Sequence, residues 1–435
     1  MACMSDAPPT TNRLARFSIP TIVVGLVVAT LVALWAVQVD FDAPQLVGRR
    51  ETDVGTNTGA AIVRLTMWVS ALGTLTMLLI SSVMHPAGVA GSRRERHGLD
   101  DRSQRAVAVA RAFGLMWFLS SVAGIVVVTA TDARQPAPYV MGALGDNLGS
   151  NQSAQLWFLQ AILVFFVTLI CGLSRTVGGI SAALYLGVFA LMPQGVAGAV
   201  SVGLHHDLAS DAMILALLMA GIWWPLGLAT ALSGGGRGES TRLRRHRWFS
   251  LPASLVVLAA TWMIGWQGLA GESMTDSPYG WVRLGLLATT GMLVLLALLR
   301  VVVRTEAMSR CTLPLEVLAI MLTLGAMVAS ESLTPPRFSV PQDSQINLLG
   351  YTVEQSPNFW TLVAPGRPNL LLVTVSAVAI LGYLSGVLLL RRRGDRWPIH
   401  RTVLWVVGWL VILGVTATGV WVYGAAAFSL SLIHI

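Results

Sequence analysis

GGISAALYLGVFALMPQGVAGAVSVGLHHDLASDAMILALLMAGIWWPLGLATAL, residues 178–232, decides the fold. It holds two apolar segments, and roughly 20 such residues are enough for a helix to cross the hydrocarbon of a bilayer. Lipid offers no partner to backbone N–H and C=O groups, so segments of this kind cross as helices, which satisfy those groups internally. The link between the two carries His205, His206 and Asp207. Three metal-capable side chains therefore stand where two membrane helices meet water.

The rest of the chain has the same character. Of its 435 residues 54% are apolar and only 11% charged, and the mean hydropathy is +0.68, which excludes an ordinary soluble multidomain protein. Apolar runs recur near 18–38, 60–84, 112–131, 153–173, 178–198, 209–232, 249–269, 282–303, 313–332, 369–390 and 403–423. The expected fold is all-α: a polytopic membrane helical bundle of about eleven spans. The first run begins near residue 18 and is read as a retained span, because no clear small-residue cleavage site follows it before Val39.

Arginine sets the expected orientation. All 29 basic residues are Arg, and 22 of them fall in alternate links, including Arg93, Arg94 and Arg96, then Arg242, Arg244, Arg245 and Arg247, then Arg391, Arg392 and Arg393. Basic residues accumulate in cytoplasmic loops, so the N-terminus is expected in the cytoplasm and the His205–Asp207 link outside it. The net charge of +8 follows from this topology and implies no nucleic-acid partner. Cys3, Cys171 and Cys311 are scattered and imply no disulfide framework.

Charge inside the spans is scarce. Glu316 lies about one turn into the ninth apolar run, either on a polar pathway or helix contact or reaching back to the surface; Glu331 lies near the far end. Arg64 and Arg283 begin spans and read as lipid-headgroup anchors. The run RLRRHRW at 242–248, with His246, reads as a topology determinant against anionic lipid. No nucleotide-binding loop, HExxH or nucleophile elbow occurs, so no enzyme activity is expected.

Several of these stretches carry a family likeness. Pro193 to Gly198, His206-Asp207 leading to Trp223, TDSPYG at 275–280 and LPLEVLAIMLTLGAMVASESLTPP at 313–336 resemble the copper-resistance D family of bacterial membrane proteins, over residues 1–340. From about 348, Leu349-Gly350-Tyr351, Trp360, Arg367-Pro368-Asn369 and RGDRWP at 393–398 resemble the opening of a caa3-type cytochrome c oxidase assembly factor. That family continues beyond Phe428-Ser429, so the second domain, 341–435, is read as truncated. The resemblance implies a bacterial plasma-membrane protein that handles copper ions, by transport or by delivery toward oxidase assembly. Its partners would be membrane lipids and periplasmic copper chaperones or oxidase subunits. The alternatives are a non-transporting scaffold for the oxidase and a paralogue without metal binding.

Copper(I) favours imidazole and thioether ligands. The candidate metal residues are His206 first, helped by His205, Asp207, Met192 and Met213, with Glu316 as a separate intramembrane polar site. The chain also departs from the copper-resistance pattern. Where that pattern places histidines, this sequence has Ala199 and Ala216.

Overall fold

A computed structural model of the chain describes residues 13–41, 53–84, 99–133, 136–195, 197, 206–233, 239–269, 273–333 and 335. The helices are α1 (Arg13–Phe41), α2 (Val54–Leu79), α3 (Asp101–Ala133), α4 (Ala137–Gly142), α5 (Leu144–Ser150), α6 (Gln152–Leu173), α7 (Val177–Phe189), α8 (His206–Leu232), α9 (Glu239–Leu269), α10 (Pro278–Val303) and α11 (Glu306–Ser332). Among the described residues nine segments are long and apolar enough to cross a membrane. The chain is thus an all-α, polytopic membrane bundle. The expected spans at 369–390 and 403–423 lie outside the described residues, as does the whole segment 341–435 read as a second domain.

Local chemistry places the helix ends. Asp53 caps α2 by accepting from the Thr56 amide at 2.8 Å, and Asn151, Thr176, Ser277 and Thr305 cap α6, α7, α10 and α11 in the same way. The apolar run expected to continue as one helix to 198 instead ends at Phe189 and passes into a 3-10 turn at Met192–Gly195. Pro193 is the reason: a helical proline has no N–H to give and its ring clashes with the carbonyl four residues back, here that of Phe189. The link between α3 and α6 contains the two short helices α4 and α5.

The bundle is layered by burial. In α8 and α11 72% of the apolar window is covered by other helices, against 28% in α1, so those two helices form the centre and α1 the rim. On α1, Ile19, Val23, Val24, Val27 and Leu31 remain exposed, as suits a lipid-facing stripe. Its other side meets α11 through small residues: a Cβ added to Gly325 would lie 2.5 Å from Ala29 Cα. Such close backbone approach is how membrane helices gain packing energy where lipid supplies no hydrophobic drive.

Many hydroxyls inside the spans are satisfied locally. Thr74, Thr261, Thr290 and Thr323 each donate to the carbonyl four residues earlier. Gln194, in the 3-10 turn, donates to Gln160 Oε1, and Gln160 lies 3.5 Å from Met67 Sδ. These contacts tie the broken end of the fifth span to α6 and α2.

Candidate functional site

α10 and α11 form a tight helical hairpin. Only Arg304 and Thr305 separate them; Arg304 takes φ 57°, in the left-handed region, and Thr305 then caps α11. The turn lays the last turn of α10 against the first turns of α11. Arg300 and Glu316, sixteen residues apart, meet there: Arg300 Nη1 donates to Glu316 Oε2 at 2.6 Å, and Arg300 Nε donates to Thr312 Oγ1 at 2.6 Å.

Two further helices complete the cluster. His246 Nε2, from the start of α9, lies 2.8 Å from the same Glu316 Oε2, and Trp223 Nε1, from the middle of α8, donates to Oε1 at 3.1 Å. Glu316, Arg300 and His246 are each 1% exposed and Trp223 is fully buried. Arg300 Nη1 and His246 Nε2 stand 3.1 Å apart, the spacing of two donors converging on one acceptor. That geometry assigns the proton of His246 to Nε2. Its Nδ1 has no partner among the described residues. One carboxylate thus joins four helices, and a charge that would be prohibitive alone in hydrocarbon is matched by a guanidinium.

This arrangement decides between the two readings of Glu316 and corrects three other expectations. Glu316 is an internal helix–helix contact and does not reach back to the surface; α11 begins at Glu306, several residues earlier than the apolar run suggested, which carries Glu316 deeper. His246 is buried against Glu316 instead of lying at the interface, because α9 also starts early, at Glu239. Arg64 and Arg283 are 4% and 6% exposed, so neither is a headgroup anchor. Arg64 Nε pairs with Glu331 at 3.4 Å, and Arg283 Nε donates to Tyr279 Oη at 2.9 Å.

A cavity of about 40 Å³ lies between α8, α9, α10 and α11, toward the end that bears Arg283 and Glu331. Met213, Ala216, Trp224 and Thr261 are in its wall. Ala216, where the resemblance implied a histidine, contributes only a methyl group to the wall. Of the other candidate ligands, Met213 is buried in the wall and Met192 is half-buried in the 3-10 turn. His206 and Asp207 are the first two residues of α8; His205 lies outside the described residues. Among the described residues no three His, Cys, Asp or Glu side chains gather into a metal-holding group.

Sequence reasoning missed Arg300, His246 and Trp223 as partners of Glu316. A signal was present: one intramembrane carboxylate requires a cation at matching depth, and His246 and Arg300 each stand near a span end on the same expected side.

Fold and site together define a multi-pass membrane helical bundle cross-linked by a buried carboxylate. Residues 381–435 match the family model described as cytochrome c oxidase caa3 assembly factor, a match to a small part of the chain. An uncharacterised protein of Mycobacterium leprae is 26% identical over 322 residues, covering 73% of this chain and 48% of its own length. Uncharacterised proteins of Mycobacterium bovis and Mycobacterium tuberculosis are each 26% identical over 371 residues, covering 83% of this chain and 53% of theirs. The chain thus spans about half the length of the curated relatives it matches. No solved structure matches it.

Proposed function

We propose that the protein is a membrane-embedded scaffold in the assembly of a caa3-type respiratory oxidase in a bacterial plasma membrane, without transport or catalysis of its own. The observation that carries this reading is the match of residues 381–435 to the caa3 assembly-factor family, on the same chain as the nine-span bundle. The internal charges suit it. Glu316 is engaged on both oxygens by three helices, an arrangement that holds helices in fixed register. Ala216 in the cavity wall fits a bundle in which the metal ligands of the resembling family are not all retained.

Deletion of the gene, with complementation, tests the proposal. Expected are loss of oxidase activity and of the reduced haem a absorbance, with cellular copper unchanged. A fall or rise in copper content with a normally assembled oxidase would overturn it.

The second reading is copper movement or delivery, to a periplasmic chaperone or directly to oxidase subunits. It is favoured by one feature: Met213 presents a thioether in the cavity wall, on the helix that opens with His206 and Asp207. His205 and Met192 would be the accessory ligands. Copper uptake into vesicles that falls in a His205→Ala/His206→Ala double variant would establish it, and uptake equal to that of empty vesicles would exclude it.

A further inference from the structure

Three arginines of the described bundle are almost wholly buried, and they differ in what neutralises them. Arg300 pairs with Glu316 and Arg64 with Glu331. Arg283 has no carboxylate partner among the described residues. Its Nε donates to Tyr279 Oη, and its Cζ lies 5.1 Å from the centre of the same ring. A guanidinium carries five N–H donors and keeps its charge at any ordinary pH, so Tyr279 satisfies a small part of it. A buried charge without a counter-charge is costly at membrane depth. Arg283 also lines the 40 Å³ cavity, which has room for about three waters or one small ion.

We propose that this cavity binds a small monovalent anion on the Arg283 guanidinium. The walls define its selectivity. Met213, Leu217, Ile264 and Leu286 are apolar and favour an ion that sheds water readily. The hydroxyls of Thr261, Thr323 and Ser330 already donate to carbonyls of their own helices, which leaves the Arg283 guanidinium, with the unpartnered indole N–H of Trp224, as the donors of the wall. The Glu331 carboxylate also borders the cavity and is tied to Arg64. Its negative charge opposes a dianion more strongly than a monoanion, so sulfate and phosphate are excluded while chloride and formate are admitted.

Equilibrium dialysis of the purified full chain in detergent, with radiolabelled chloride in one arm and radiolabelled formate in the other, tests this. Expected is saturable binding at one site per chain in at least one arm, with no competition from sulfate. Arg283→Gln weakens binding by about tenfold or more, since a charge-assisted pair is replaced by a neutral one. Ala216→Leu fills the cavity without touching the guanidinium and is expected to abolish binding, so the test survives if Arg283→Gln fails to fold. Absence of saturable binding in both arms would overturn the proposal. So would competition by sulfate, or unchanged affinity in folded Arg283→Gln or Ala216→Leu. None of these outcomes bears on oxidase assembly, which is tested separately.

Discussion

Removing Arg300 should destabilise the bundle far more than removing Arg300 and Glu316 together. In the native cluster Glu316 Oε2 receives Arg300 Nη1 at 2.6 Å, and both residues are 1% exposed. Two unit charges at about 4 Å interact by about 4 kcal/mol at an effective dielectric of 20. Truncating one partner of a buried pair commonly costs about 3–5 kcal/mol, because the other charge stays behind without compensation. Arg300→Met leaves Glu316 with only the donors His246 and Trp223 and without its guanidinium, so a loss of about 4 kcal/mol is expected. Glu316→Leu strands the guanidinium and should cost a similar amount. The double variant strands neither charge and should lie within about 2 kcal/mol of the native protein, because apolar replacement of a buried ion pair is often close to neutral. The coupling energy is then about 6 kcal/mol or more. Equilibrium unfolding of the purified protein in mixed micelles by added SDS, followed by tryptophan fluorescence, measures all four corners of the cycle. Additive losses, with a coupling below about 0.5 kcal/mol, would show that Glu316 and Arg300 do not neutralise each other.

Further outcomes are expected elsewhere in the chain. Trp223→Phe removes one donor to Glu316 and keeps the ring, so the same unfolding assay should show a loss of about 1 kcal/mol, the scale of hydrogen bonds between membrane helices. Gly325→Val should destabilise by about 1–3 kcal/mol through overpacking against Ala29, where even a Cβ would stand 2.5 Å from the Ala29 Cα. Asp53→Ala should cost about 1 kcal/mol at neutral pH as a lost cap. The hydrogen bonds from the Thr56 hydroxyl and amide hold the Asp53 carboxyl below its ordinary value of 3.8. Because the folded pKa is depressed, that stabilisation is present above the unfolded value and fades as pH falls through the folded one. The difference between native and Asp53→Ala proteins should therefore shrink in acid below about pH 4. In a Cys3→Ser/Cys171→Ser background, a membrane-impermeant maleimide should label exposed Cys311 only after the cells are opened, as a cytoplasmic N-terminus requires; labelling of intact cells would reverse the assigned orientation.

The positions of the nine described spans were legible from composition alone. A run such as 153–173 has no alternative in lipid to an internally hydrogen-bonded helix, and α6 occupies Gln152–Leu173. Helix ends were less legible. Hydropathy marks where a segment enters the hydrocarbon, but the helices α9 and α11 begin among charged residues, at Glu239 and Glu306, before the apolar runs start. In α9 that shift of nearly three turns separates an interfacial His246 from a buried one. Pro193 was visible in the sequence, yet periodicity in a uniformly apolar run gives no warning that the helix stops at Phe189.

By itself the sequence determined that this is an all-α membrane protein, because its apolar segments can satisfy their backbones in lipid in no other way. It also identified Glu316 as the acidic residue at membrane depth whose charge demanded an explanation. Tertiary structure alone decided which cation answers it. Arg64, Arg283 and Arg300 are equivalent in sequence, each a single charge near a span end, and only the packing of α2 and α8 to α11 makes one the partner of Glu316, another the partner of Glu331, and leaves the third beside a cavity. The physical reason is range: hydrophobicity acts along the chain and is readable there, whereas a buried charge is decided by the few ångströms around it, filled by residues from distant helices.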